Sequence, residues 1–133
     1  MFIERLLNQG NLPVIEQVVR FSAARQKLIA ENVANISTPD YVQKDLSVQR
    51  FQRALRERLE ARRHAPPGAV RFDDILGELD RPTRNILFHD RNNRSIEQLQ
   101  SDSQKNALYH NLMIELLRKQ VASIETALKE RIA

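Results

Sequence analysis

Residues 25–41 read RQKLIAENVANISTPDY, and the fold turns on how this stretch is read. Leu28, Ile29, Val33 and Ile36 recur at helical spacing, so one face of the segment is apolar. Pro39 excludes the α conformation at Thr38 by steric clash, so the helix ends by about Ser37. Asn35 falls where a C-terminal cap is expected, and asparagine accepts the left-handed backbone that many such caps use. Asn32 and Asn35 stand one turn apart, and both are unfavourable inside a helix. Two readings are open. One is a capped helix end followed by a turn; the other is a pair of amides hydrogen-bonded to a packed neighbour.

Upstream, the same helix extends back to Asn11, with Asn11 as N-cap and Pro13 in the first turn. Its stripe of Ile15, Val19, Ser22, Gln26, Ile29, Val33 and Ile36 is only partly apolar. Leu12, Val18, Phe21 and Leu28 lie beside it and widen the apolar face, so a helix over 11–36 needs neighbours on more than one side. Phe2, Leu6 and Leu7 share a short amphipathic start that stops at Gly10. Glu4 and the lack of a small-residue cleavage site separate this start from a secretory signal peptide.

The chain then changes character. From Val42 an extended exit leads into a basic helix in which Phe51, Leu55 and Leu59 repeat every four residues. Between Gln43 and His64, seven basic residues stand against three acidic ones. That surplus of four equals the formal net charge of the whole 133-residue chain, +4. An arginine-rich helix can neutralise phosphates, but its apolar stripe argues for packing and few aromatic residues stand ready for base stacking. Residues 64–93 hold Pro66, Pro67, Gly68 and Pro82, and read as an irregular centre with a helical turn at Phe72–Leu76 and a short strand at Asn85–Phe88. Asp73 and Asp74 are adjacent and would not share a helix face. His89 and Asp90 have no nucleophile or metal-ligand partner at recognisable spacing. Nothing in the centre has the pattern of an active site, and the chain reads as a non-enzyme with no cofactor and no metal.

A last helix is expected over 95–131, with Ser95 as N-cap and Gln98 in the capping-box position. Ile96, Leu99, Ser103, Ala107, His110, Ile114, Leu117, Val121, Ile124 and Leu128 step by three or four, a coiled-coil-like seam. Leu108, Leu112 and Leu116 form a second stripe. His110 reads as a hydrogen-bonded interface residue. With no cysteine there is neither a disulfide framework nor a thiolate site, and no run approaches the ~20 apolar residues of a membrane span.

The pattern L-x-x-x-N-V-A-N-x-x-T-P-x-Y, formed by Leu28, Asn32, Val33, Ala34, Asn35, Thr38, Pro39 and Tyr41, resembles the N-terminal signature of the flagellar axial proteins, the rod, hook and hook-associated proteins of bacteria. That family usually has Gly between the Pro and the Tyr; here Asp40 stands there, one of the few other residues that tolerates φ > 0. The run Asn92, Ser95, Ile96, Glu97, Asn106, Tyr109 and His110 is similar to the C-terminal segment of the rod proteins, those of the proximal rod in particular. The short centre fits a rod subunit better than a hook protein with large inserted domains. Phe2 and Leu6 resemble the apolar export motif of early flagellar secretion substrates.

The resemblance implies a structural subunit that transmits torque between rotor ring and distal rod. It implies export through the flagellar type III apparatus to the basal body in the periplasmic space, without a cleaved signal. Implied partners are other rod proteins, the rotor-ring (MS-ring) protein, the rod adaptor protein FliE and the export gate. Self-assembly would form a helical tube, with no nucleic acid and no small-molecule substrate. Its implied packing residues are Leu28, Asn32, Val33, Asn35, Thr38, Pro39, Tyr41, Ile114, Leu117, Val121, Ile124 and Leu128.

The expected fold is mainly α. A single domain over 1–133 has two long terminal helices packed as an antiparallel coiled-coil-like pair, with the basic helix and irregular centre (37–94) outside it. The second stripes of both long helices are expected to remain for other subunits, with fraying at both termini of the free monomer. Two other classes compete: a basic nucleic-acid-binding protein and a secretion-chaperone-like helical hairpin.

Overall fold

The computed structural model describes residues 10–80 and 94–132, and over these the chain is helical with no strand. In order come α1 (Leu12–Ala34), α2 (Val48–His64), the short α3 (Ile75–Asp80) and α4 (Ile96–Ile132). Phe2, Leu6 and the expected strand at 85–88 lie outside the described residues.

The two long helices pack along each other. Ser22 meets His110 and Gln26 meets Ser103, so partners descend on α4 as they rise on α1 and the pair is antiparallel. At 1.5 Å per residue, the 23 residues of α1 span about 35 Å and the 37 residues of α4 about 55 Å. The last turns of α4 therefore run past the start of α1.

The helix ends follow local chemistry. α4 opens with the expected capping box: Gln98 N–H donates to Ser95 Oγ and Ser95 N–H to Gln98 Oε1, both at 3.3 Å. α2 starts three residues before its first stripe residue, Phe51, because Ser47 caps it by accepting from Arg50 N–H at 3.2 Å. Asn11 occupies the N-cap position of α1, but its side chain makes no cap bond. α1 also stops at Ala34, two residues short of the expected Ile36. Asn35 ends it with φ −105°, not in the left-handed region, and its Nδ2 donates back to Glu31 O at 2.8 Å. The Asn35 backbone N–H donates to the same carbonyl at 3.0 Å, so backbone and side chain of one residue together close the helix without a left-handed cap.

The basic helix is not peripheral. Val18, Phe21, Leu46, Phe51, Phe72, Ile75 and Leu79 form one buried cluster, drawn from α1, its exit segment, α2 and the α3 region. Phe21 and Phe51 stack with centroids 4.2 Å apart and ring planes 11° from parallel. Arg58 then ties the centre down, donating to Arg71 O, Asp74 and Glu78. Arg62 lies 5.3 Å over the Phe72 ring and donates to Gly10 O at 2.7 Å. The helical turn expected at Phe72–Leu76 forms one turn later, as α3. Asp73 precedes it and takes two hydrogen bonds from Arg71, which hold its carboxyl below the usual carboxylate range.

These contacts cover the second stripe of α1. Leu12, Val18 and Phe21 are buried within the chain and Leu28 packs against the same cluster, so they are not left for another subunit. On α4 the expectation meets the opposite result. Leu108, Leu112 and Leu116 are 74%, 54% and 38% exposed.

Candidate assembly site

The signature stretch folds into a clamp at the end of α1. Asn32, 2% exposed, donates from Nδ2 to Lys44 O at 2.7 Å and accepts Lys44 N–H on Oδ1 at 3.0 Å. An amide side chain so placed copies the two-bond pairing of a neighbouring strand. Tyr41 Oη donates to the same Oδ1 at 3.3 Å. Between them, Thr38–Pro39–Asp40–Tyr41 reverses the chain: Tyr41 N–H donates to Thr38 O at 3.3 Å, Pro39 is second and Asp40, at φ +59°, third. Proline second and a positive φ third is the pattern of a type II turn, and explains why a position that glycine would suit still accepts aspartate. Thr38 Oγ1 lies 3.3 Å from Asn35 Oδ1 and donates to it.

The amides of Asn32 and Asn35 are thus hydrogen-bonded to their own chain. Asn32 holds the exit segment and Asn35 its own helix. Of the other expected packing residues here, Leu28, Val33 and Tyr41 are half-buried, whereas Thr38 and Pro39 are exposed.

Beside the clamp lies a charged network that no sequence pattern announced. Asp45, buried, receives Arg25 through Nε at 3.0 Å and Nη2 at 3.1 Å, a two-pronged pair. Arg94 adds a bond to Asp45 at 3.1 Å and one to Asp102 at 2.7 Å. Gln43 and the Arg94 backbone exchange bonds as well, Nε2 to Arg94 O at 3.0 Å and Arg94 N–H to Oε1 at 2.9 Å. The exit segment is thereby fixed at once to α1 and to the start of α4. Residues 25, 45, 94 and 102 share no periodicity, and nothing in their spacing pairs them.

Between α1 and α4 the interface is polar at its centre. Asn106, not Ala107, is the buried residue, and its Nδ2 donates to Ser22 O and to Gln26 Oε1, both at 2.8 Å. Gln26 Nε2 donates to Ser103 Oγ at 2.8 Å. Ser22 Oγ is 2.9 Å from Val19 O and 2.7 Å from His110 Nδ1. A hydroxyl carries one hydrogen, so when Ser22 donates to Val19 the His110 Nδ1–H donates to Ser22. His110 is an interface residue, as its place on the stripe suggested.

Further along α4 the expected seam is partly open. Leu99 is buried and Ile114, Leu117, Ile124 and Leu128 are half-buried, but Ile96 and Val121 are exposed. The seam follows Leu99, Asn106 and His110, so its axis passes beside Ile96 and Val121. No described helix is long and apolar enough to cross a membrane. No protein-family model, no curated protein and no solved structure matches this chain.

The arrangement is built to hold helices in register. It fixes the end of α1, locks the start of α4 beside it, and leaves one apolar stripe of α4 facing outward.

Proposed function

We propose that this chain is a helical subunit that completes its packing in an assembly, and that the assembly is the bacterial flagellar rod. Within the rod, the proximal position, that of FlgB, is the place the motifs favour. The reading rests on one observation, the signature from Leu28 to Tyr41, in which each polar member has a structural task. Asn32 pairs with Lys44, Asn35 closes the helix, and Thr38 to Tyr41 make a turn that needs φ > 0 where the family has glycine. The outward stripe of Leu108, Leu112 and Leu116 supports it, since an assembly subunit needs apolar surface that its own fold does not cover.

Its task is then mechanical. Close-packed helices, fixed in register by the clamp, carry torque from the rotor ring to the distal rod. Deleting the gene in the source organism and imaging its basal bodies by electron microscopy tests this. The expected result is rotor rings without a rod and loss of swimming; normal rods and normal swimming would sink the reading.

A further inference from the structure

α2 and α4 both run against α1: Phe51 stacks on Phe21 and Arg62 reaches Gly10, so α2 descends along α1 as α4 does. The two therefore lie parallel on one support, and a groove of about 330 Å³ opens between them. Val18 and Phe21 form its floor, Phe51 and Leu55 one wall, Tyr109 and the stem of Lys105 the other. Tyr109, at 47% exposure, continues along α4 into Leu112 and Leu116 at three- and four-residue steps, so the apolar surface extends beyond the groove itself.

Charge selects the occupant. Among the described residues, no carboxylate lines the groove. Lys105 stands on the α4 edge. Arg56, exposed and one turn from the lining residue Gln52, stands on the α2 edge. Neither makes an ion pair among the described residues, whereas the third cation at the groove, Arg25, is held by Asp45. We infer that the groove between α2 and α4 docks an amphipathic helix with acidic flanks, supplied by a different protein.

A second copy fits poorly. Its α2 carries six arginines against two glutamates, and its α4 from Lys105 onward carries five basic residues against three acidic ones. Either would bring a net positive charge to a groove flanked by Lys105 and Arg56, and juxtaposed like charges are among the stronger devices for rejecting a wrong partner. The groove and its charges stand independently of the rod reading.

The test uses the full chain and a fluorescein-labelled, 18-residue synthetic helix with leucines on one face and glutamates flanking them. Its twin has lysines in place of the glutamates. Fluorescence anisotropy should show the glutamate helix binding about tenfold or more tighter than its twin. Arg56→Glu with Lys105→Glu, both at exposed positions, should reverse that order with unchanged circular dichroism. Tyr109→Ser should weaken both helices. Absence of binding, equal binding of the twins, or an order unchanged in the double variant would overturn the inference. So would a concentration-dependent dimer, seen by sedimentation, that Tyr109→Ser abolishes, since the groove would then belong to a second copy.

Discussion

The two long helices dispose of their apolar residues differently. α1 is enclosed: α4 lies on one side, and α2 with the α3 region lies on the other, so Leu12, Val18, Phe21 and Ile29 are all buried. α4 is longer by 14 residues, yet only Leu99 and Asn106 along it are buried. A helix with one covered side and an outward row of leucines is finished only when something else arrives. α1 organises the chain, and α4 presents it.

That contrast can be broken by mutation, beginning where the effect is largest. Phe51→Ala removes the ring that stacks on Phe21 and should cost about 3–5 kcal/mol of folding stability. Leu112→Ser on the outward row should change the same urea midpoint by no more than about 0.5 kcal/mol. Equal losses at the two positions would mean that α4 is covered within the free chain.

Asn32→Leu comes next. It keeps the bulk but strands the Lys44 N–H and C=O beside a buried site, at a cost of about 2 kcal/mol. Thermal unfolding followed by circular dichroism checks it. An unchanged midpoint would mean that the clamp is not what holds the exit segment.

Gln17 is a polar exception within the enclosed helix. It is buried on α1, and its Oε1 has no hydrogen-bond partner among the described residues. Gln17→Met, of similar volume, should raise stability by about 1 kcal/mol. Smallest is Asp40→Gly, which should gain about 0.5 kcal/mol by relieving the left-handed backbone at φ +59°. The gain is limited because glycine also loses more freedom on folding.

The sequence was legible where the physics is local. The capping box at Ser95 and Gln98, the positive φ at Asp40, the turn at Pro39 and the antiparallel pairing all depend on neighbours in the chain or on simple periodicity. It was less legible where polar residues pack. Asn106, Ser22 and Gln26 look like breaks in an apolar stripe, yet they hydrogen-bond one another across α1 and α4. The Arg25–Asp45–Arg94–Asp102 network joins residues brought together only by the finished fold. The stripe of α1 was read correctly as apolar but assigned to the wrong partner. Phe51, Phe72 and Ile75 were scattered among arginines and turns, and only the fold gathers them.

On the proposed rod reading, the outward row of α4 is covered in the assembly and bare in the free chain. The sequence has no cysteine, so Leu112→Cys places a single thiol on that row. Maleimide labelling of this variant should be fast in the purified chain and strongly suppressed in basal bodies isolated from cells whose swimming it supports. Equal labelling in both would contradict the claim.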